Sequence, residues 1–128
     1  MRKVVLILLW FSFTVNAQST YSVDTSYTVR STYNKLIKKY PSITIPVIDK
    51  NENVDQINDA VYFKSKERTL HLDAFLNTRQ KQNPAVIMIH GGGWRSGEKS
   101  MQVPLAQLIA NKGFVTIPVE YQLSLEAP

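Results

Sequence analysis

Continuous and alternating apolar segments predict the strands of this chain. Residues 85–89 are apolar throughout, which is typical of a parallel strand buried on both faces of a sheet. Residues 114–119 form a second apolar run and predict another buried strand. Residues 61–63 and 70–76 predict two further strands, joined by a charged hairpin tip at residues 64–68.

Polar and proline-containing segments predict the connections between these strands. Residues 49–59 are polar and predict a loop, and residues 77–84 predict a polar connection before the strand at 85–89. Residues 43–45 alternate like a strand, but Pro46 restricts them to an edge or a crossing segment.

Apolar residues at helical spacing predict a helix over residues 29–40, which Pro41 ends. The lysines near its C-terminal end suit the helix dipole and indicate a solvated face, or alternatively a docking patch for an acidic partner. The apolar stripe consists of Tyr33, Leu36, Ile37 and Tyr40, and the lysines that face away are Lys35, Lys38 and Lys39.

A second helix is predicted between the two continuous apolar strands. Pro104 suits its first turn, Gly113 is the glycine expected after its end, and Ser96 or Ser100 is expected to cap its start. Its predicted stripe consists of Leu105, Leu108, Ile109 and Lys112, with Ala106 and Ala110 as small fillers. Strand, glycine-rich loop, helix and strand in this order indicate a βαβ unit, which predicts an α/β fold with parallel strands.

Residues 90–94, His-Gly-Gly-Gly-Trp, follow the strand at 85–89 without a linker. Consecutive glycines cost conformational entropy and pack nothing, so a chain that carries them needs their backbone freedom. Their N–H groups can face a negatively charged group with no Cβ in the way. A tight turn without a ligand and a phosphate-binding loop are the alternatives, although the chain has neither a Gly-Lys-Ser/Thr nor a G-x-G-x-x-G sequence.

The His-Gly-Gly-Gly-Trp sequence after a buried strand resembles the oxyanion-hole motif of α/β-hydrolase esterases and lipases. The resemblance implies that the amides of Gly92 and Gly93 donate to the substrate oxyanion and that Gly91 shapes the turn. It also implies that His90 orders the loop by hydrogen bonding and is not the general base. Trp94 is expected to pack the loop against the core, or alternatively to form a wall of the substrate site.

Residues 121–124, Tyr-Gln-Leu-Ser, resemble a Tyr-Arg-Leu-Ser-like sequence at the end of a strand in carbohydrate-active and related acyl esterases. Gln122 departs from the usual arginine. Residues 61–128 thus resemble the N-terminal half of an α/β-hydrolase, which implies a mostly parallel sheet with helices on both faces. In that family the strand before the glycine motif lies beside a later strand, so we expect this strand to have an open apolar edge here.

The nucleophilic serine of the family lies in a G-x-S-x-G sequence, which this chain lacks. Ser96 has no glycine two residues before it and is interpreted as a cap or a solvated loop residue. In the family the acidic residue and the catalytic histidine follow the serine. We therefore expect the nucleophile and the rest of the triad to lie outside this chain, which alone would be an inactive N-terminal fragment.

The remaining titratable residues do not form a recognisable site. His71 is interpreted as an ordinary, partly buried strand residue, and the two histidines are too far apart in sequence to indicate a metal site. Asp73 and Glu120 have no paired-carboxylate spacing and are interpreted as structural. No metal and no cofactor are predicted.

The N-terminus predicts a cleaved signal peptide over residues 1–17. Arg2 and Lys3 precede a predominantly apolar run of ten residues, 4–13, which ends before a small-residue cleavage site at Ala17. The run is too short to span a bilayer, so no stable membrane span is expected after cleavage. We expect a secreted or periplasmic protein, which agrees with a chain that has no cysteine and needs no disulfide.

Composition and charge indicate a globular domain rather than a nucleic-acid-binding protein. Hydrophobic residues make up 44% of the chain, and the formal net charge of +5 is spread along it and includes the N-terminal pair of basic residues. Residues 18–60 are expected to be a lead-in to a truncated hydrolase domain at residues 61–128. The resemblance to α/β-hydrolase esterases implies hydrolysis of short acyl or aryl esters, on small molecules or polysaccharide, through an acyl-enzyme. Amide hydrolysis, as in arylformamidases or peptidases, and a non-catalytic exported binding domain are the alternatives.

Overall fold

The computed structural model describes residues 24–66 and 68–124. The predicted signal peptide and the first residues of the lead-in lie outside this described part. The elements in chain order are helix α1 (Val29–Leu36), strand β1 (Val54–Lys64), strand β2 (Thr69–Asn77), strand β3 (Ala85–Ile89), a 3₁₀ helix (Lys99–Gln102), helix α2 (Val103–Ala110) and strand β4 (Val115–Val119). Among the described residues, no helix has the length and apolar character needed to cross a bilayer.

The four strands form one mixed sheet in the order β1-β2-β4-β3. Strands β3 and β4 pair in parallel, with Ala85 opposite Val115 and Ile89 opposite Val119, and helix α2 connects them. The βαβ unit predicted from the sequence is therefore confirmed. The expectation of a mostly parallel sheet is wrong for the described strands, because β1 pairs with β2 and β2 pairs with β4 in antiparallel orientation.

Strand β3 lies at one edge of this sheet and is not buried on both faces. Met88 faces the core, whereas Ile87 and Ile89 are 65% and 63% exposed. Helix α2 packs against β2 and β4 and covers one face of the sheet only. The open edge expected for this strand is present in the described part of the chain. Strand β3 has apolar side chains on both of its faces, and the face that carries Ile87 and Ile89 is exposed to solvent among the described residues.

Strand β1 is longer than its sequence predicts. It begins at Val54, so the second half of the predicted loop at 49–59 is wrong. Its residues are almost all exposed, because β1 is the other edge strand and is held by ladder hydrogen bonds to β2 rather than by apolar burial. The register shifts between Ile57 and Ala60, and Asp59 within this bulge has a positive φ of 53°. Residues 43–45 form no strand.

The helices begin near their predicted positions but differ in extent and in buried face. Helix α1 ends at Leu36 rather than near residue 40, and hydrogen-bonded turns follow it before Pro41. Its start carries a reciprocal capping box between Thr28 and Ser31. In helix α2 neither Ser96 nor Ser100 caps the start, since the residue before the helix is Gln102 and makes no side-chain cap.

The small residues of α2, rather than its leucines, face the sheet. Ala106 and Ala110 are fully buried, whereas Leu105 and Leu108 are about half exposed. Alanine allows the helix axis to come close to the sheet, and the Thr116 hydroxyl donates to the Ala106 carbonyl across this interface at 2.9 Å. The predicted stripe of leucines is therefore wrong. Phe75 and Met88 complete the core cluster under this helix.

Candidate active-site loop

The loop that follows β3 has a backbone that only glycine adopts without strain at two positions. Gly92 and Gly93 have φ values of +133° and +62°, and Trp94 also has a positive φ of 65°. A Cβ on Gly92 would lie 1.8 Å from the Ser96 carbonyl oxygen. A Cβ on Gly97 would lie 2.2 Å from the Gly91 oxygen, so residues 96 and 97 pack directly against the glycine run.

The carbonyl groups of the glycine run are turned into the loop. The Gly92 oxygen accepts hydrogen bonds from the backbone N–H groups of Arg95 and Ser96, both at 3.2 Å, and from the Ser96 hydroxyl at 3.1 Å. The Gly91 oxygen lies 2.8 Å from Nδ1 of His90. Ser96 is 5% exposed, so the interpretation as a helix cap or a solvated residue is wrong, and its hydroxyl is already engaged.

The same peptide planes turn two amides away from the loop. All peptide bonds of the described chain are trans, so each carbonyl is antiparallel to the N–H of the next residue. Because the Gly92 oxygen points into the turn, the Gly93 N–H points out of it, and the Gly92 N–H likewise points away from the His90 ring. Within the described residues, neither N–H donates a hydrogen bond to the protein. These are the two amides that the sequence singled out, together with Gly91.

His90 is buried beneath the loop and contacts Tyr121 on its ring face. The two rings stack with centroids 4.5 Å apart, and His90 is 5% exposed. The contact between Nδ1 and the Gly91 oxygen requires the proton to be on Nδ1. This arrangement fits a residue that holds the loop, and it leaves Nδ1 engaged with the backbone.

Tyr121 joins the segment after β4 to the loop, a role that the sequence did not reveal. Its hydroxyl donates to the His90 carbonyl at 3.0 Å, and its ring makes an edge contact with Trp94 at 5.9 Å. The Ser124 N–H donates to the Trp94 carbonyl at 2.7 Å. The resemblance of residues 121–124 to an esterase sequence marked this segment, but nothing in the sequence showed that it contacts the glycine loop.

Tyr121→Phe is expected to lower the free energy of unfolding by roughly 0.5–1.5 kcal/mol, because it removes one hydrogen bond and retains the stacked ring. Urea unfolding followed by circular dichroism measures this change. Tyr33→Phe is the matched control, since Tyr33 lies in another element, helix α1. Equal effects of the two substitutions would show that the hydroxyl of Tyr121 does not hold the loop.

Trp94 presents its indole to solvent beside the glycine run. The side chain is 70% exposed and contacts the Tyr121 ring edge. The expectation that Trp94 packs the loop against the core is therefore wrong for the described chain. The exposed position agrees with the other expectation, a wall of a substrate site, which stays a prediction.

A partly buried lysine follows the loop and pairs with two carboxylates. Lys99 Nζ lies 2.7 Å from Asp73 Oδ1 and 2.8 Å from Asp59 Oδ1, and the Lys99 side chain is 12% exposed. Burial lowers the pKa of Lys99, but its hydrogen bonds to Asp59 and Asp73 and their charges outweigh that effect and raise it above its ordinary value. The hydrogen bond from Lys99 lowers the pKa of Asp59. The interpretation of Asp73 as structural stays a prediction, and the sequence did not reveal its contacts with Lys99 and Asp59.

His71 and Glu120 contact each other on neighbouring strands. Glu120 Oε2 accepts from the His71 backbone N–H at 2.9 Å and lies 3.2 Å from Nδ1 of the same residue. The Tyr62 hydroxyl donates to the Glu120 carbonyl, and burial, together with the Glu120 charge, raises the pKa of Tyr62. In the described residues no three potential metal ligands lie close enough together to hold an ion.

Part of the chain matches a known protein family. Residues 72–128, which include most of β2, then β3, the glycine loop, α2 and β4, match the BD-FAE family of bifunctional carbohydrate esterases. The chain resembles carboxylesterases. No curated protein matches the sequence significantly.

Solved structures of esterases share part of this fold. A structure of esterase B from Lactobacillus rhamnosis, and another of the same enzyme described as inhibited by a tributyrin phosphonate, each match with a TM-score of 0.51 and 23% identity. Esterase 2 of Thermogutta terrifontis, described as phosphoramylated by tabun, matches 60% of this chain and 29% of its own chain at 22% identity and a TM-score of 0.48. The matches to esterase B cover 74% of this chain, and this chain spans about 30% of the length of that carboxylesterase. They show an α/β-hydrolase fold in part.

Proposed function

We propose that the loop at residues 90–94 is the oxyanion-hole part of a serine carboxylic ester hydrolase that works through an acyl-enzyme. The observation that carries the proposal is the direction of the amides of Gly92 and Gly93, which point out of the loop and donate to no protein acceptor in the described chain. A tetrahedral intermediate places negative charge on the carbonyl oxygen, and each preorganised donor lowers that barrier by about 2.7–4 kcal/mol.

The loop geometry supports a fixed donor pair rather than a flexible turn. Three hydrogen bonds hold the Gly92 carbonyl. The ring of His90, the residue before the glycine run, stacks on the ring of Tyr121. Fixed donors need no reorganisation when charge develops, which is the property that makes such a site effective. In this proposal Nδ1 of His90 donates to the Gly91 carbonyl, and a different histidine acts as general base.

The nucleophile is assigned to a serine outside the described residues. No serine within them lies in a G-x-S-x-G sequence, and the Ser96 hydroxyl donates to the Gly92 carbonyl. In the proposed reaction that serine oxygen attacks the ester carbonyl, the alcohol leaves with the proton taken from the serine, and water then hydrolyses the acyl-enzyme.

The proposed substrates are short acyl or aryl esters, including acetyl or feruloyl groups on polysaccharide. The match of residues 72–128 to a family of carbohydrate esterases supports this class. The exposed indole of Trp94 supports it further, because a flat apolar surface beside the donor amides can contact a sugar ring or an aromatic acyl group.

Covalent labelling with a fluorophosphonate tests the nucleophile. The protein encoded by the complete gene is incubated with the reagent, and the modified peptide is identified by mass spectrometry. We expect one labelled serine, in a G-x-S-x-G sequence, and the same labelled position in Ser96→Ala. A folded protein that takes up no label would refute the serine-hydrolase proposal and favour a binding domain.

The substrate class is tested separately, on enzyme that has not been treated with the fluorophosphonate. Acetylated xylan and an aryl acetate are compared with an aryl amide of the same acyl group. Release of acetate from the esters with much slower amide cleavage supports the proposal. Preferred amide cleavage would place the protein with the amide-hydrolysing relatives.

Export through the signal peptide at residues 1–17 is part of the proposal. Its support is the basic start, the ten-residue apolar run and the small residue at position 17. N-terminal sequencing of the protein recovered outside the cytoplasm is expected to begin at Gln18. Recovery of uncleaved protein in the cytoplasm only would contradict export.

A further inference from the structure

Lys99 follows the glycine loop in the chain, and two acidic residues of the β1–β2 hairpin hold its ammonium group. Its ammonium lies 2.7 Å from Asp73 on β2 and 2.8 Å from Asp59 on β1. Asp73 is 5% exposed and also accepts the Asp59 backbone N–H at 2.9 Å. The three residues therefore form one connected cluster rather than a simple surface ion pair.

The cluster also fixes Asp59, whose backbone conformation within strand β1 is strained. Asp59 lies in the bulge of β1 with φ at 53°, a conformation that non-glycine residues rarely adopt. Its N–H donates to Asp73 and its carboxylate contacts Lys99, so both of its polar groups are directed at the same site. A bulge that re-aims one side chain in this way is a common device beside functional sites.

Close backbone packing transmits the position of Lys99 to the glycine amides. Only Glu98 separates Lys99 from Gly97, and an added Cβ on Gly97 would lie 2.2 Å from the Gly91 oxygen and 2.6 Å from Nδ1 of His90. The Ser96 carbonyl is similarly close to Gly92. Displacement of the residues before Lys99 therefore displaces the peptide planes that carry the two amides.

We infer that Lys99 is a positioning residue for the glycine loop: held between Asp59 and Asp73, it anchors the loop exit to the β1–β2 hairpin and so sets the direction of the Gly92 and Gly93 amides. Its effect on the loop does not depend on the proposed function. Its effect on ester hydrolysis rests on that function, because it would act through the oxyanion donors.

The first test compares the amide resonances of the chain in nuclear magnetic resonance spectra of the Lys99→Met, Lys99→Arg and Lys112→Met variants. Lys112 is an exposed lysine after helix α2 and serves as the matched control. We expect Lys99→Met to shift the resonances of Gly92 and Gly93 and to lower their heteronuclear NOE values. Lys99→Arg, which retains the charge and can donate to both carboxylates, is expected to retain most of both wild-type signals.

A second variant keeps the inference testable if Lys99→Met does not fold. Asp59→Asn removes one charge from a side chain that is 74% exposed, and is expected to move the same glycine resonances in the same direction by a smaller amount. Lower stability with unchanged glycine resonances in the Lys99 variants would show a purely structural ion pair and overturn the inference. Shifted glycine resonances in a protein that fluorophosphonate does not label would retain it and refute the proposed function instead.

Discussion

Gly92→Ala is expected to lower the free energy of unfolding by roughly 2–6 kcal/mol, the combined cost of backbone strain and overpacking. The new Cβ would lie 1.8 Å from the Ser96 carbonyl oxygen. Because this oxygen belongs to the backbone, a change of side-chain rotamer cannot relieve the overlap. The φ of +133° adds strain that is independent of the contact. Urea unfolding followed by circular dichroism measures the loss.

Gly93→Ala is the matched control for this substitution. Its φ of +62° lies in the left-handed region, but an added Cβ meets nothing within 4 Å. The expected cost is therefore only about 1–2 kcal/mol. Equal losses in the two variants would mean that the close approach of residues 92 and 96 is not what requires glycine at this loop.

Asp73→Ala has the second large expected effect, a loss of about 3 kcal/mol in the free energy of unfolding. The substitution removes the buried one of the two carboxylates that pair with the partly buried Lys99 ammonium, and with it the acceptor of the Asp59 N–H. A buried charge that loses a partner costs more than the pair contributes, because its desolvation is no longer compensated. Thermal and urea unfolding both report this change.

Asp55→Ala on strand β1 is the control for the loss of an acidic residue. Asp55 is exposed, and substitutions at such positions usually change stability by no more than about 0.5 kcal/mol. The combination Asp73→Ala with Lys99→Met is expected to cost less than the two single changes together, since both less exposed charges are then removed and only the exposed Asp59 carboxylate remains. Additive losses would show that the two side chains are not energetically coupled.

Local sequence patterns predicted the elements whose signals are local. The apolar run at residues 85–89, the alternation at 70–76, Pro104 and Gly113 indicated β3, β2 and both ends of α2, and the structure contains these elements. The parallel pairing of β3 and β4 followed from the connection through a helix. Such signals depend on residues near one another in the chain, so one sequence is enough to read them.

Features that depend on the partner of an element were not predicted. The polar start of β1 forms a strand because β2 offers an edge, and no apolar period marks such a strand. The buried face of α2 is set by how closely the helix approaches the sheet, which favoured alanine over leucine. The open edge of β3 was expected only from the resemblance, since it depends on the strands beside β3 rather than on the composition of β3 itself.

In the candidate site, too, the residues with local sequence signals were predicted and those with distant contacts were not. Residues 90–94 were identifiable because a glycine run after a strand is unusual and resembles a known motif. Tyr121 and Lys99 were missed because their contacts join residues that are 31 and 26 positions apart. The only sequence signals available were the esterase-like Tyr-Gln-Leu-Ser sequence and a lysine shortly after the glycine run, and neither indicates a partner.

A structure of the phosphonate adduct of the complete protein tests the central claim most directly. The phosphonyl oxygen occupies the position of the oxyanion in the tetrahedral intermediate. We expect this oxygen within about 2.7–3.1 Å of the backbone nitrogens of Gly92 and Gly93. An adduct whose phosphonyl oxygen bonds to other donors and lies beyond hydrogen-bond distance of both amides would contradict the assignment of the loop.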